Sequence, residues 1–325
     1  MRMIFTKLVR LVVVLFVVTF LSFWFIKLIG GNNDLVAKMI PFASIEEKER
    51  VREEIGLNKP FFVQYRIWLG NFVTGDLGQI YTGSGANVAS VPVSEQVMKR
   101  LPVSLELMLY AQLLALAIAI PLGVFTAYRA GSKFDRGSNM AAFGLLALPQ
   151  FVVALLLATY VGAKWQLLPT QANVDPFPLN PADNWQYMLM PIISLALAQI
   201  AIYTRLLRSD MIATLQEDFI TTAKAKGIPA KRVLFRHALR PSSLTLLTVA
   251  GLNVGALIGG AVVIERIFQV PGIGGLLAAS ILSQQYLLTQ SLVVLIAIFY
   301  ILLNFSVDIL YSVLDPRIRH ARAVA

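Results

Sequence analysis

Long apolar segments constrain this chain more than any other feature of its sequence. A helix needs roughly 20 apolar residues to cross the hydrocarbon core of a bilayer. Six segments meet that requirement, at about 8–29, 103–128, 138–163, 187–208, 242–264 and 287–309. In lipid a segment must satisfy its own backbone polar groups, so each run predicts a helix, with kinks at Pro121 and Pro149. The sequence therefore predicts an all-α polytopic membrane protein with six transmembrane helices.

The composition agrees with lipid as the surrounding solvent. The chain is 57% hydrophobic and 14% charged, whereas soluble domains average about 25% charged residues. The net charge of +10 would also suit nucleic acid, but the cations flank apolar runs, which favours a membrane and no nucleic acid. Because the chain has no cysteine, disulfides and thiol chemistry are excluded.

The first segment could be a signal peptide, with Arg2, Lys7 and Arg10 as its charged region. Its apolar run from Leu11 to Leu28 is longer than a typical signal-peptide core, and no A-x-A cleavage pattern follows. Residues 1–29 are therefore predicted to be an uncleaved N-terminal transmembrane anchor.

Lys and Arg are distributed unevenly between the two sides of the predicted helices. They cluster in residues 1–10, in the link 129–136, in the stretch 205–240 and in the tail at Arg317, Arg319 and Arg322. The short loops on the opposite side carry only Lys164 and Arg266. The positive-inside rule therefore predicts that both termini and the 209–241 loop are cytoplasmic.

Residues 30–100 are then extracytoplasmic and long enough to form a small cap. The sequence predicts a charged helix at 45–55, a break at 56–60, an amphipathic aromatic helix at 61–72 and a weakly structured glycine-rich stretch at 75–85. Residues 101–317 are predicted to form a five-helix transmembrane core that includes the 209–241 loop, and residues 318–325 are predicted to be a cytoplasmic tail.

The 209–241 loop has the pattern of two short helices joined at a glycine. Glu217 and Asp218 begin the first helix, and Lys224 and Lys226 lie in its last turn, as the helix dipole favours. Gly227 can take the left-handed conformation that ends a helix. Pro229 suits the first turn of the second helix, in which the arginines recurring every four residues share one face: Arg232, Arg236 and Arg240.

Two interpretations of this loop compete. A basic amphipathic helix can lie on anionic lipid, or the loop can dock on a cytoplasmic protein. Small side chains allow another protein to approach closely, and they favour docking: Thr221, Thr222, Ala223 and Ala225.

The loop resembles that of the membrane subunits of ATP-binding-cassette importers, and closely that of the B-type permeases of dipeptide and oligopeptide systems. Residues 223–227 and 233–240 match the peptide-permease version of the family's cytoplasmic E-A-A loop. Thr221 replaces the family's glutamate, and Thr245 stands at the position of a usual proline, while Pro241 is present. Further matches lie at 56–60, 64–65, 75–78, 263–265, 271–274 and 315–317.

This resemblance implies the type I importer permease fold, with an extracytoplasmic insertion after the first helix, in a bacterial plasma (inner) membrane. It implies a heterodimer with a C-type permease, two ATPase subunits that bind ATP and Mg, and an extracytoplasmic peptide-binding protein. Peptides are the expected cargo, and nickel, glutathione or sugars are the alternative. The ATPase-coupling residues would be Asp218, Thr221, Thr222, Ala223, Lys224, Ala225, Lys226, Gly227, Arg232 and Arg236.

The chain itself carries no recognisable energy-converting or catalytic site. It lacks a G-x-x-x-x-G-K-[ST] phosphate loop, and its two histidines, His237 and His320, are too far apart for a zinc site with local spacing. We therefore expect a transport subunit that is not an enzyme and has no catalytic, cofactor or metal site of its own.

An ion-coupled carrier is the rival hypothesis, and a channel or scaffold is a third. The ionisable candidates Glu106, Arg205, Glu265 and Asp308 fall near segment ends, where water is expected to reach them. No inverted repeat and no selectivity filter is evident.

Uncharged polar residues could line a pathway or bond between helices: Gln150, Gln199, Asn253 and Asn304. A glycine stripe, Gly251, Gly255 and Gly259, predicts a close helix contact.

Overall fold

The computed structural model describes residues 2–30, 35–171 and 181–314, and it describes the side chains of 9–28, 35–171 and 184–307. Several sequence predictions lie outside this described part. They concern the side chains of Arg2, Lys7 and Asp308, the 315–317 motif, His320 and the tail 318–325 with its arginines.

The described chain is helical apart from one β-hairpin. Its elements are α1 (Arg2–Gly30), α2 (Leu35–Met39), α3 (Ile45–Glu54), α4 (Phe61–Val73), β1 (Gln79–Ser84), β2 (Asn87–Pro92), α5 (Val93–Tyr128), α6 (Lys133–Ala147), α7 (Gln150–Leu156), α8 (Pro181–Leu215), α9 (Asp218–Ala225), α10 (Ala230–Arg232), α11 (Leu239–Phe268), α12 (Ile273–Leu282) and α13 (Tyr286–Leu314). Two π-helical segments, Leu157–Lys164 and Val233–Ala238, extend α7 and join α10 to α11. The all-α prediction is confirmed.

Five described helices are long and apolar enough to cross a membrane, or six if one bent pair makes a single crossing. That pair is Lys133–Ala147 with Gln150–Lys164, bent by 96°. Proline disfavours the helical conformation at the residue before it, so Leu148 is extended (ψ 123°) and Pro149 caps α7 instead of lying within a helix. Pro121, by contrast, lies inside the continuous helix α5. The count of six crossings stays a prediction.

The chain divides into two compact units. The first unit comprises Met1–Val103 and Pro271–Leu302. Its helices α3 and α4 agree with the predicted helices at 45–55 and 61–72. One of its core clusters buries Val36, Ile40, Val51 and Tyr81.

The stretch predicted to be weakly structured instead contributes a strand. β1 pairs antiparallel with β2, with Tyr81 opposite Ser90. Gly85 supplies the left-handed φ of +63° at the turn, a conformation that glycine adopts without steric cost. The glycines alone suggest a loop, but Val88 and Val91 of the partner strand have high β-propensity and favour the hairpin.

The second unit comprises Ser104–Val270 and Leu303–Ala325. Helix α8 is central to it: 67% of its most apolar window is buried, and it contacts α6, α7 and α11. Tyr203, Leu207 and Met211 of α8 are fully buried in the core of this unit. In the first unit, α1 has only 11% of its window buried, so its exposed side chains Val12, Phe16 and Phe25 are expected to face lipid or another subunit.

Candidate functional site

The 209–241 loop is an ordered excursion between α8 and α11. The Ser242 hydroxyl donates a hydrogen bond of 2.9 Å to Thr214 Oγ1, which joins the end of α8 to the beginning of α11. Between these residues lie α9, a turn at Gly227, α10 and the π-helical segment Val233–Ala238. The helix–glycine–helix pattern predicted from sequence is therefore present.

Gly227 ends α9 as predicted. Its φ is +73°, and two backbone hydrogen bonds close the turn: Gly227 N–H to Lys224 O at 2.9 Å and Ile228 N–H to Ala223 O at 3.3 Å. This pair of bonds is the Schellman arrangement that satisfies the last helical carbonyls. Pro229 is the N-cap of α10, one position before the first turn in which it was predicted.

One side of the segment is buried within the second unit. Ile220, Ala223, Val233, Leu234 and Ala238 pack in a core cluster with residues of α8 and α11. Ala223 is thus the one predicted coupling residue whose small side chain is used for internal packing. The other predicted coupling residues are exposed: Asp218, Thr221, Thr222, Lys224, Ala225, Lys226, Gly227, Arg232 and Arg236.

The three arginines do not follow the α-helical spacing on which their prediction was based. The prediction that Arg232, Arg236 and Arg240 share a face used α-helical spacing, but Val233–Ala238 is π-helical. A π-helix bonds i to i+5, is rare, and is found frequently at functional sites. All three arginines are nevertheless exposed, so the segment presents a cationic surface.

Two exposed aromatic side chains on this segment were missed by the sequence analysis. Phe219 is 48% exposed and Phe235 is 40% exposed. Large apolar side chains surrounded by exposed polar residues mark contact surfaces when they lie together. The available signal was periodicity, because Ile220 and Ala223 define the inward side of α9 and Phe219 falls outside it.

A buried ion pair lies between α6 and α8. Arg208 donates two hydrogen bonds to the Asp135 carboxylate, Nε to Oδ1 at 2.5 Å and Nη2 to Oδ2 at 2.7 Å. Asp135 also accepts the Gly131 N–H at 2.8 Å and the Asn139 side-chain amide at 2.9 Å. Ser132 caps the backbone N–H of Asp135. The carboxylate therefore joins the 129–136 link to α8.

Two of the four predicted pathway residues bond to each other, and the other two lie elsewhere. Asn253 Nδ2 donates to Gln199 Oε1 at 3.0 Å, so these two residues bond across α8 and α11. Gln150 lies instead at the end of the bend, against Gly260 of α11. Asn304 is partly buried on α13. The Gln199–Asn253 bond is the helix–helix contact that was the alternative to a pathway role.

The polar contact between Gln199 and Asn253 has a neighbour that the sequence analysis did not predict. The buried Tyr203 donates its hydroxyl to Gln112 Oε1 at 3.2 Å, and Gln112 Nε2 donates to Ala250 O at 3.4 Å. These uncharged groups link α5, α8 and α11 within the second unit.

The ionisable candidates do not all lie where water reaches them. Glu265 is 1% exposed and accepts a hydrogen bond of 2.7 Å from Ser104 Oγ. The expectation of a solvated Glu265 is therefore wrong, because α11 continues past this residue to Phe268 and the Glu265 side chain is buried. Arg205 is exposed, with its guanidinium 4.1 Å from the ring centroid of Phe143. Among the described residues, no cluster of His, Cys, Asp and Glu suits a metal ion.

Two family descriptions match nearly the whole chain. "Binding-protein-dependent transport system inner membrane component" matches residues 119–320, and the N-terminal description of the same transport systems matches residues 1–108.

Similar proteins extend over the same length. The chain is 39% identical to the oligopeptide transport system permease protein AppB of Bacillus subtilis (strain 168), over 93% of this chain and 94% of AppB. It is 34% identical to the dipeptide transport system permease protein DppB of Escherichia coli (strain K12), over 94% of this chain and 95% of DppB. A putative peptide transport system permease of Brucella abortus (strain 2308) is 35% identical, with 94% and 95% covered.

Proposed function

Because the chain belongs to the family of binding-protein-dependent transport system inner membrane components, we propose that it is the permease subunit of an ATP-driven peptide importer. It forms half of the translocation pathway, and a C-type permease forms the other half. Two ATPase subunits bind ATP and Mg, and an extracytoplasmic binding protein delivers the peptide. The similarity to AppB and DppB, whose names specify oligopeptide and dipeptide transport, supports peptides over nickel, glutathione or sugars.

The surface formed by α9, Gly227 and α10 is the proposed contact with an ATPase subunit. The observation that carries this assignment is that one side of the segment is exposed and the other side is packed in the core. Thr222 and Lys226 are exposed for a partner, while Ile220 and Val233 are packed in the core that also holds α8 and α11. Packed interiors have low compressibility, so displacement of this surface by the ATPase moves the membrane-spanning helices with it. This movement drives alternating access.

The proposal includes an orientation in a bacterial inner membrane. Both termini and the 209–241 loop face the cytoplasm, where ATP is available, as the distribution of Lys and Arg favours. Residues 30–100 face the binding protein. Residues 101–317 form the permease core, residues 1–29 form the anchor helix and residues 318–325 form the cytoplasmic tail.

Substitution of Gly227 tests the coupling role. Proline fixes φ near −65°, so Gly227→Pro cannot adopt the observed +73° and should disrupt the turn. In proteoliposomes with the assembled transporter, we expect dipeptide uptake to fall by about tenfold while ATP hydrolysis continues. Asparagine tolerates the left-handed conformation, so Gly227→Asn should retain coupled uptake. Coupled uptake by Gly227→Pro would refute the docking assignment.

The energy source separates an importer from an ion-coupled carrier. ATP depletion should abolish uptake of a labelled dipeptide by cells, whereas collapse of the ion gradients at constant ATP should leave it intact. The opposite result would contradict the proposal. Purification of the tagged chain should recover a second permease and ATPase subunits from the native membrane.

A further inference from the structure

The first unit contains a cavity of about 270 Å³ that none of the family features explains. Its walls come from the end of α1, from α2, α4 and β1, and from the start of α13. Phe23, Met39, Trp68 and Leu287 supply apolar surface. Small-molecule sites typically occupy about 300–1,000 Å³, so this cavity is slightly smaller than that range and suits only a small ligand.

Gln290 and Lys27 are two of the hydrogen-bond donors in the cavity lining. Gln290 is 2% exposed, and no acceptor within the described part of the chain bonds its Nε2. A buried amide N–H without an acceptor is costly, and a ligand carbonyl would satisfy it. Lys27 Nζ uses one of its three donor positions on Gln64 Oε1, at 2.8 Å. Gln64 is itself fixed, because its Nε2 donates to Leu57 O and Lys59 O.

The lining also carries acidic groups. Glu54 and Asp76 are exposed residues of the lining, which places them at its solvent side. Burial, followed by the nearby Glu54 carboxylate, raises the pKa of the Tyr81 phenol. Tyr81 therefore stays protonated and donates to Glu54. These carboxylates repel a simple anion such as a fatty acid and attract an ammonium group.

We infer that this cavity binds a short peptide with free termini. Its carboxylate meets the Lys27 ammonium, a backbone carbonyl accepts from Gln290 Nε2, and its ammonium faces Glu54 and Asp76. An apolar C-terminal side chain packs against Phe23 and Trp68. This inference rests on the proposed peptide-transport function, and it gives the permease a peptide site of its own in the first unit.

Equilibrium dialysis with radiolabelled Ala-Phe tests this assignment on the full chain in lipid nanodiscs, without binding protein or ATPase. We expect saturable binding that weakens by about tenfold or more in Gln290→Leu, since one buried hydrogen bond is lost. Gln96→Leu makes the same change in the same unit away from the cavity and should bind normally. N-acetyl-Ala-Phe-amide, which lacks both charges, should bind weakly.

Separate controls test whether the variants fold and whether the proposed transport function holds. Gln290→Leu removes a buried Nε2 group that no acceptor bonds in the described part of the chain, so its unfolding temperature should not fall below that of the unsubstituted chain. A second variant, Leu287→Trp, fills the cavity and should also abolish binding. Absence of saturable binding, or equal binding by Gln290→Leu, overturns the cavity assignment even if cells show ATP-dependent dipeptide uptake. Dipeptide uptake by cells that continues after ATP depletion would instead overturn the proposed function.

Discussion

At the scale of single residues, Asp135 combines more interactions than any sequence pattern indicated. It occupies the first turn of α6, where the helix dipole favours a carboxylate. Its two oxygens accept from Arg208, Gly131 and Asn139. Removing one partner of a buried pair leaves the other charge uncompensated. Asp135 should therefore be among the residues to which stability is most sensitive.

We expect Asp135→Asn to lower the free energy of unfolding by about 2–3 kcal/mol, somewhat less than for a fully buried pair. The reduction is smaller because the Arg208 side chain is 25% exposed. Glu95→Gln is the matched control, since Glu95 pairs with Lys99 at the surface and exposed pairs contribute about 0–1 kcal/mol. Thermal unfolding in detergent measures both variants. Equal effects would contradict the structural role of the buried pair.

Residues that act through local geometry could be predicted, and residues that act through distant partners could not. Gly227 follows a helix with lysines in its last turn, and that local pattern was sufficient to predict its left-handed φ. Asp135 and Glu265 acquire their roles from Arg208 and Ser104, which are far away in sequence. Without the packing of α5, α6, α8 and α11, sequence spacing gives no indication of these pairs.

At the scale of elements, the glycine stripe of α11 is used unevenly. A Cβ at Gly251 would lie 2.5 Å from Val307 Cγ1 of α13, whereas a Cβ at Gly259 would have no atom within 4 Å. Val307 is β-branched and has restricted χ1 rotamers, so it cannot move aside easily. The contact predicted from the stripe is therefore present at Gly251, while Gly259 faces open space in this chain.

Alanine substitutions at the two ends of the stripe should have opposite results. Gly251→Ala is expected to destabilise the protein by about 1–3 kcal/mol, because the added methyl overpacks the contact with α13. Gly259→Ala should be neutral or stabilise α11 by up to about 1 kcal/mol, since alanine has the higher helix propensity. Unfolding temperatures of the two variants in the same detergent provide the comparison. Similar losses at both positions would contradict the assigned contact.

The elements themselves were largely predictable, and their ends were not. The lengths of the apolar segments predicted α1, α5, α8, α11 and α13 correctly. Helix α5, however, has 36 residues and is about 54 Å long. It therefore exceeds the roughly 30 Å hydrocarbon core. Apolar content marks only the part of a helix in lipid. The hairpin and the π-helical segments depend on partner strands and packing, which periodicity does not report.

At the scale of the whole molecule, the absence of cysteine from the sequence makes the orientation directly measurable. Ala86 at the hairpin turn and Ala130 in the 129–136 link are both exposed. With a membrane-impermeant maleimide on intact spheroplasts, Ala86→Cys should be labelled. Ala130→Cys should react only after the membrane is permeabilised. The reverse labelling would invert the proposed orientation.

The path of the chain at the 96° bend between α6 and α7 decides whether the number of membrane crossings is even or odd. If the bent pair passes through the bilayer, the number of crossings is even, and both ends share one compartment. If it returned to the side it entered from, every later loop would exchange sides, and the 209–241 loop would lie opposite the 129–136 link. Access of this loop to the proposed ATPase subunits therefore depends on the path of the chain at Leu148 and Pro149, some sixty residues before the loop begins.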